Sequence, residues 1–211
     1  MEGHIVSLNT GTAGTVEWQG KAVSSAIHKV PVNEPIWLAT LGFTGDVQVD
    51  TVHHGGEDKA VCVYCHEHYA YWEKGLGISL PVPTFGENIT TKGMTEKDIA
   101  IGDVFQLGEA VIQISQPRMP CFKVAAKLKQ PFMVKWIQDT GFSGYYVRVL
   151  QEGHVAKQDV LKRIEAHSAR VTVDFVNKAT YIDKDNTAAL HTILSVPELA
   201  ESWRTMLEKR V

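Results

Sequence analysis

Three groups of residues in this chain have the types and spacing to do chemistry. The first is His53-His54-Gly55-Gly56-Glu57-Asp58-Lys59, followed by Cys62, Cys65, His66 and His68. Cys62-Val63-Tyr64-Cys65 has the spacing of a zinc knuckle. A structural zinc site usually needs a second such pair, however, and the third cysteine, Cys121, lies far along the chain. Cys62 also falls inside an apolar run, where cysteine behaves as a small buried hydrophobe. No His-Glu-x-x-His motif occurs, which excludes metalloprotease chemistry.

The second group is Gln116-Pro117-Arg118-Met119-Pro120-Cys121. Two prolines three apart stiffen the backbone and present Cys121 from a fixed segment. Arg118, three residues earlier, is placed to stabilise a thiolate, the form that attacks or binds a soft metal. A buried structural cysteine behind a rigid loop explains the same spacing. Pro120-Cys121 also resembles half of the zinc-deaminase signature, but that motif needs a cysteine where this chain has Val124.

The third group, Gly20-Lys21-Ala22-Val23-Ser24-Ser25-Ala26-Ile27-His28-Lys29, combines cations and hydroxyls suited to an anionic or phosphate-bearing ligand. It is equally a polar strand with solvated lysines. Arg148, in the otherwise apolar stretch Tyr145 to Leu150, either snorkels to the surface or points into a polar pocket. Dinucleotide and P-loop fingerprints are absent, and Gly141-Phe142-Ser143-Gly144 is too short to be either.

The elements that must position these residues change character along the chain. Up to about residue 155 the apolar stretches are short, β-branched and punctuated by glycine and proline. Strands are expected at Ile5–Leu8, Val47–Val52, Ala60–Tyr64 and Tyr145–Leu150, with a hairpin of Val104–Gly108 and Ala110–Ile114. Many short strands with turns between them predict a barrel or sandwich. Helical interruptions are expected at His66–Lys74 and at Lys123–Gln138, the latter broken by Pro131. No glycine follows Gly153, and three apolar stripes at helical spacing appear: Val171, Phe175 and Val176; Leu190, Ile193 and Leu194; Leu199, Trp203, Met206 and Leu207. Ser195-Val196-Pro197-Glu198 has a capping-box pattern. The chain therefore reads as a β-rich domain over residues 1–162 and a three-helix domain over 163–211.

With 44% hydrophobic and 21% charged residues, the 211-residue chain can bury a core. A net charge of −3 gives no bulk footprint for nucleic acid. The first residues do not form a secretory signal, and no apolar run approaches membrane-spanning length. An odd count of three cysteines argues for free thiols in a reducing compartment, and hence for the cytoplasm.

Taken in order, the motifs are Gly20-Lys21 with its serines, Gly45-Asp46, His53-His54-Gly55-Gly56 with Asp58-Lys59-Ala60-Val61, and Phe85-Gly86-Glu87-Asn88-Ile89. Ile101-Gly102-Asp103, Pro117-Arg118-x-Pro120-Cys121 and Gly141-Phe142-Ser143-Gly144-Tyr145-Tyr146 with Arg148 follow. Together they resemble the MOSC-domain proteins, named after the C-terminal domain of molybdenum cofactor sulfurase. The closer likeness is to the YiiM-type branch, the 6-N-hydroxylaminopurine resistance proteins, and it covers nearly the whole chain. The resemblance implies a mainly β fold with α, a closed MOSC-type β-barrel followed by a small three-helix C-terminal domain. It implies a molybdenum cofactor (molybdopterin) whose metal takes its protein thiolate from Cys121. It places the pterin and its phosphate against Lys21, Ser24 or Ser25, Arg118 and Arg148, with His54 and Asn88 near the pocket. The cysteines and histidines at 62–68 match no ligand set of the family.

The implied reaction is a detoxifying reduction, in which an N-hydroxylated base R–NHOH takes two electrons and two protons and leaves as R–NH2 and water. The cofactor carries the redox chemistry, while the protein supplies orientation, charge and access. The sequence holds no flavin or nicotinamide motif and no iron–sulfur cysteine set, so a flavoprotein or ferredoxin-type electron donor is expected. Two rivals stand beside this reading. One is a carrier of molybdenum cofactor or sulfur, with a persulfide on Cys121. The other is a pyridoxal phosphate enzyme using Lys21, Lys29 or Lys59, for which no fold signature is present.

Overall fold

Short strands can bury a face only by pairing along both edges, and a closed barrel satisfies every edge. The computed structural model describes residues 1–49 and 55–211. Its strands are β1 (Glu2–Thr10), β2 (Gly14–Trp18), β3 (Lys21–Ser25), β4 (Val30–Pro31), β5 (Ile36–Ala39), β6 (Gly42–Phe43), β7 (Val61–Cys65), β8 (Ile89–Lys92), β9 (Val104–Leu107), β10 (Ala110–Pro117), β11 (Tyr145–Gln151), β12 (Gly153–Val155) and β13 (Val160–Glu165). The helices are α1 (Tyr69–Leu76), α2 (Phe122–Leu128), α3 (Met133–Thr140), α4 (Val173–Tyr181), α5 (Thr187–Leu194) and α6 (Glu201–Glu208).

Seven strands, in the order β13-β9-β10-β11-β7-β8-β1, close into a barrel when β1 pairs back onto β13. Neighbours in the barrel are antiparallel except β7 and β8, which run parallel. β1 is long enough to serve three partners: Glu2–His4 face β13, His4–Leu8 face β8, and Asn9 and Thr10 face β4. A bulge between Ile5 and Ser7 turns it from one partner to the next.

The expected strands at 5–8, 60–64, 104–114 and 145–150 correspond to β1, β7, β9–β10 and β11. The strand expected over 47–52 does not form at residues 47–49, and residues 50–52 lie outside the described residues. Val47 instead donates its N–H to Gly11 O at 2.9 Å, which takes the segment off the ladder. The helix expected from His66 is a 3-10 turn at His66–His68 running into α1. The predicted break at Pro131 separates α2 from α3, and Lys129 ends α2 with a left-handed φ of 53°.

The three C-terminal helices follow the apolar stripes. Thr172 caps α4 by accepting from Phe175 N, and Asn186 caps α5 by accepting from Ala189 N. The capping box at Ser195 does not start a helix. Ser195 closes α5, its hydroxyl donating to Thr192 O at 2.8 Å, and α6 begins only at Glu201. A tertiary bond decides this: Ala200 N–H donates to Ser115 O of β10 at 3.0 Å and fixes the entry to α6. One hydrophobic core joins barrel residues such as Phe105, Ile112 and Leu161 to Val176, Leu190 and Trp203 of the helices. A second core, with Val16, Trp72, Phe85, Val124 and Ile137, lies under the β2–β3 hairpin and α1–α3. No helix among the described residues is long and apolar enough to cross a membrane.

Candidate functional site

The strand register assembles the site at one end of the barrel. β10 ends at Pro117 opposite Tyr145, with Gln116 opposite Tyr146, and Tyr146 in turn pairs with Cys62 of β7. Asn88, just before β8, donates its N–H to Cys62 O at 2.8 Å and accepts from Cys62 N at 3.1 Å through Oδ1. Arg118, Tyr146, Cys62 and Asn88 thereby come to one barrel mouth. From Pro117 the stiff segment leads to Cys121, extended at φ −118° and ψ 143°, which begins α2.

These residues line one solvent-open cleft at the barrel mouth, with a volume of about 90 Å³. Cys121 lines it and is half-buried. Among the described residues its cations are Lys29, Lys59, Arg118 and Lys123, against the single carboxylate of Asp46, an excess of three positive charges. Ser25 and Asn88 add a hydroxyl and an amide.

Much of the wall is held by buried polar bonds. Asp46 Oδ1 accepts from Lys29 Nζ at 2.5 Å and from Gly11 N at 2.7 Å, and its Oδ2 accepts from Asn88 Nδ2 at 2.8 Å. Arg118 donates its Nη2 to Phe85 O at 2.6 Å and its backbone N–H to Gly144 O at 3.0 Å. Burial opposes the charge of Arg118, but Cys62, Tyr146, Glu87 and Tyr64 outweigh it and push the guanidinium pKa up. Burial, reinforced by Glu87, raises the Cys62 thiol against the pull of Arg118 and Lys29. Burial and then the Cys62 sulfur raise the Tyr146 phenol. Lys127 reaches back to Ile27 O at 3.2 Å, and burial followed by Arg118 and Lys29 lowers its ammonium, with Glu87 opposing. The cleft therefore offers one half-exposed sulfur, one buried protonated sulfur and a cationic wall.

The structure brings together Cys121, Arg118, Ser25 and Asn88 of the residues singled out from sequence. Lys21 and Ser24 do not line the cleft. They belong to the separate β2–β3 hairpin, where Lys21 pairs with Trp18 at the exposed tip and Ser24 points away from the side that buries Ser25. Arg148 is turned away as well. It binds Asp58 Oδ1 through Nη2 at 2.6 Å and Nε at 2.8 Å, Gln113 Oε1 at 2.8 Å and Glu198 O at 2.9 Å, tying the barrel to the helical unit. His54 lies outside the described residues. Lys29, Lys59, Lys123, Asp46, Cys62 and Tyr146 also line the cleft; none of them is expected from sequence as a contact of the molybdenum cofactor, and Lys29 and Lys59 are named there only for the pyridoxal phosphate alternative. Lys29, in the basic run after Gly20, and Lys59, in the Asp58-Lys59 motif, are the two of these cations that carry a signal in the sequence.

Residues 50–162 match the MOSC domain family, and residues 171–211 match the YiiM-like 3-alpha helix domain. YflK of Bacillus subtilis is 45% identical over 98% of this chain and 93% of its own. A protein of Gibberella moniliformis named Reductase is 34% identical over 69% of this chain and 27% of its own length. The crystal structure of YiiM from Geobacillus stearothermophilus superposes with a TM-score of 0.85 at 38% identity, over 99% of this chain and 98% of that one. With its closed barrel and its three-helix appendage each matched in turn, the chain belongs to the MOSC-domain family, in the YiiM-type branch.

Proposed function

We propose that this protein is a molybdenum-cofactor-dependent reductase that converts N-hydroxylated bases such as 6-N-hydroxylaminopurine to the amines. The observation that carries the reading is the pairing of a half-exposed Cys121 with a cationic wall in one cleft. The donor set fits the group. A thiolate suits a soft metal, and an excess of positive charge offsets the anionic dithiolene and phosphate of a pterin cofactor, which would be expensive to bury unpaired. Cys121 would bind the metal. Arg118, Lys29, Lys59 and Lys123 would face the anionic groups, with Ser25 and Asn88 as hydrogen-bonding partners. When bound, this cofactor supplies the two electrons that break the N–O bond of R–NHOH, giving R–NH2 and water with two protons.

The chain's own residues set the charge and the order of the site. Arg118 stays cationic, because its guanidinium pKa is pushed up from a value that is already far above neutral. Cys62 Sγ and Tyr146 Oη keep their protons, so neither adds negative charge beside the anionic ligand. The Asp46 bonds to Lys29, Gly11 and Asn88 hold the wall of the cleft in place before a ligand arrives. The electrons come from a separate flavoprotein or ferredoxin-type donor, and three free thiols support a cytoplasmic address.

Cys121→Ser tests the reading. We expect a folded protein that loses molybdenum and no longer reduces 6-N-hydroxylaminopurine with reduced viologen under anaerobic conditions. Wild-type-like turnover with stoichiometric molybdenum in that variant would overturn it. A one-sulfur mass increase on Cys121 of the unsubstituted protein, without reductase activity, would replace it by the carrier role.

A further inference from the structure

Cys65, His68 and Glu96 form a buried cluster apart from the cleft, their donor atoms within 4.8 Å of one another. A metal ion is the first thought, and the distances argue against it. His68 Nε2 lies 2.7 Å from Glu96 Oε2, a hydrogen-bond length. Two ligands each about 2.1 Å from a tetrahedral zinc stand roughly 3.4 Å apart. The Cys65 thiol is likewise placed as a hydrogen-bond donor, 3.3 Å from Met94 O and 3.6 Å from Glu96 Oε2.

The same bonds lead elsewhere. The second oxygen of Glu96, Oε1, accepts the N–H of Gly144 at 2.7 Å. The carbonyl of Gly144 accepts the backbone N–H of Arg118 at 3.0 Å. The turn between them is clamped on its other sides. Phe142 stacks on His68 at 3.8 Å and 7°, and Tyr64 Oη donates to Phe142 O at 3.1 Å. Asn177 of α4 donates to Gly141 O at 3.1 Å and Ser143 Oγ at 2.9 Å. Glu96 is therefore the link that spans from His68 to the residue on which Arg118 hangs.

We propose that Glu96 is a positioning residue for Arg118: its carboxylate bridges His68 and the Gly144 N–H, and so fixes where the Arg118 guanidinium stands in the cleft. This rests on the reading that Arg118 faces a bound anion. Reach matters here more than charge, which separates two conservative variants. Glu96→Gln keeps the length and an acceptor for Gly144 while removing the charge. Glu96→Asp keeps the charge but is one methylene too short to serve both partners.

The test is calorimetric titration of the purified protein with inorganic phosphate at low salt. Arg118→Ala should weaken phosphate binding about tenfold or more, as expected for loss of a charge-assisted contact. Glu96→Asp should weaken it comparably, and the Glu96→Asp/Arg118→Ala double variant should be no weaker than Arg118→Ala alone. Glu96→Gln should bind phosphate like the unsubstituted protein. Amide hydrogen exchange at Gly144 and Arg118 should speed up in Glu96→Asp and not in Glu96→Gln. Additive losses in the double variant, or a Glu96→Asp protein of lowered thermal stability with unchanged phosphate affinity, would overturn the positioning role. Unchanged binding in Arg118→Ala would instead overturn the reading of the cleft, and this inference with it.

Discussion

Gly141 and Gly144 lie three residues apart in the turn that supports Arg118, and a single methyl group distinguishes them. Both have left-handed backbones, φ +72° and φ +70°. An L side chain there costs about 1–2 kcal/mol from conformation alone. Around Gly141 the methyl would meet only Asn177 Cβ at 3.9 Å and Asp174 Oδ1 at 4.0 Å, ordinary contacts. At Gly144 it would stand 2.4 Å from Val63 O and 2.9 Å from Tyr64 Cδ2. Val63 is in the middle of β7, paired on one side with Tyr145 and on the other with Ile89, so the carbonyl has no room to retreat. Relief must come from moving β11 off β7, adding about 1–3 kcal/mol of overpacking strain. The total for Gly144→Ala is then roughly 2–5 kcal/mol, against about 1–2 kcal/mol for Gly141→Ala. For a chain of this size each kcal/mol moves Tm by about 2–4 °C. Gly144→Ala should therefore melt roughly 4–20 °C lower, and Gly141→Ala roughly 2–8 °C lower, in parallel calorimetric scans. Because Gly144 O holds the Arg118 N–H, Gly144→Ala should also weaken phosphate binding in the cleft. Equal melting shifts for the two variants would refute the steric argument.

The remaining predictions concern charge. Lys29→Ala should weaken phosphate binding and, by leaving Asp46 nearly buried without its cation, cost about 3 kcal/mol in denaturant unfolding; Lys21→Ala and Ser24→Ala should leave phosphate affinity unchanged. Arg148→Ala should lower stability by about 1.5–3 kcal/mol through its lost bonds to Asp58, Gln113 and Glu198, again with phosphate affinity unchanged. Burial raises the phenols of Tyr64, Tyr69, Tyr145 and Tyr146, and it pushes Tyr181 up to about 12. The folded state thus holds phenolic protons that the unfolded state releases near pH 10, so this stabilisation is complete below pH 10 and is lost as pH rises toward 12 and beyond. Denaturant midpoints should fall steeply above pH 10, and most tyrosinate absorbance should appear together with unfolding rather than ahead of it.

What the sequence revealed, and what it hid, follows from how far along the chain each decision is made. The β9–β10 hairpin, β11, the α2–α3 break and the helical stripes are fixed by residues within one or two turns of each other. Period and proline placement therefore expose them. Cys121 and Arg118 belong to this group, since two nearby prolines set their relation. Closure of the barrel pairs Glu2 with Lys162 and Gly3 with Leu161, and the parallel β7–β8 pair is joined through α1; neither leaves a local mark. Start of α6 is likewise set by Ser115, not by the capping pattern beside it.

The cleft depends on register, where an error of one residue reverses a face. Ser24 and Ser25 are chemically the same group, yet alternation along β3 buries Ser25 and exposes Ser24. An apolar run around Cys62 correctly signals burial, but a buried strand end can also be the wall of a cavity, and only the pairing with Tyr146 and the bond to Asn88 turn its sulfur toward one. Arg148 inverts that case, because an arginine in an apolar strand must find partners. Those partners, Asp58 and the Glu198 carbonyl, come from segments 90 and 50 residues away. Residue type announces that a cation or thiol needs something to face; the closed barrel decides what that something is. The four cations that meet in the cleft come from three segments of the chain, Lys29, Lys59 and the stretch that carries Arg118 and Lys123, and the closed barrel and the Asp46–Lys29 bond bring these segments to one end.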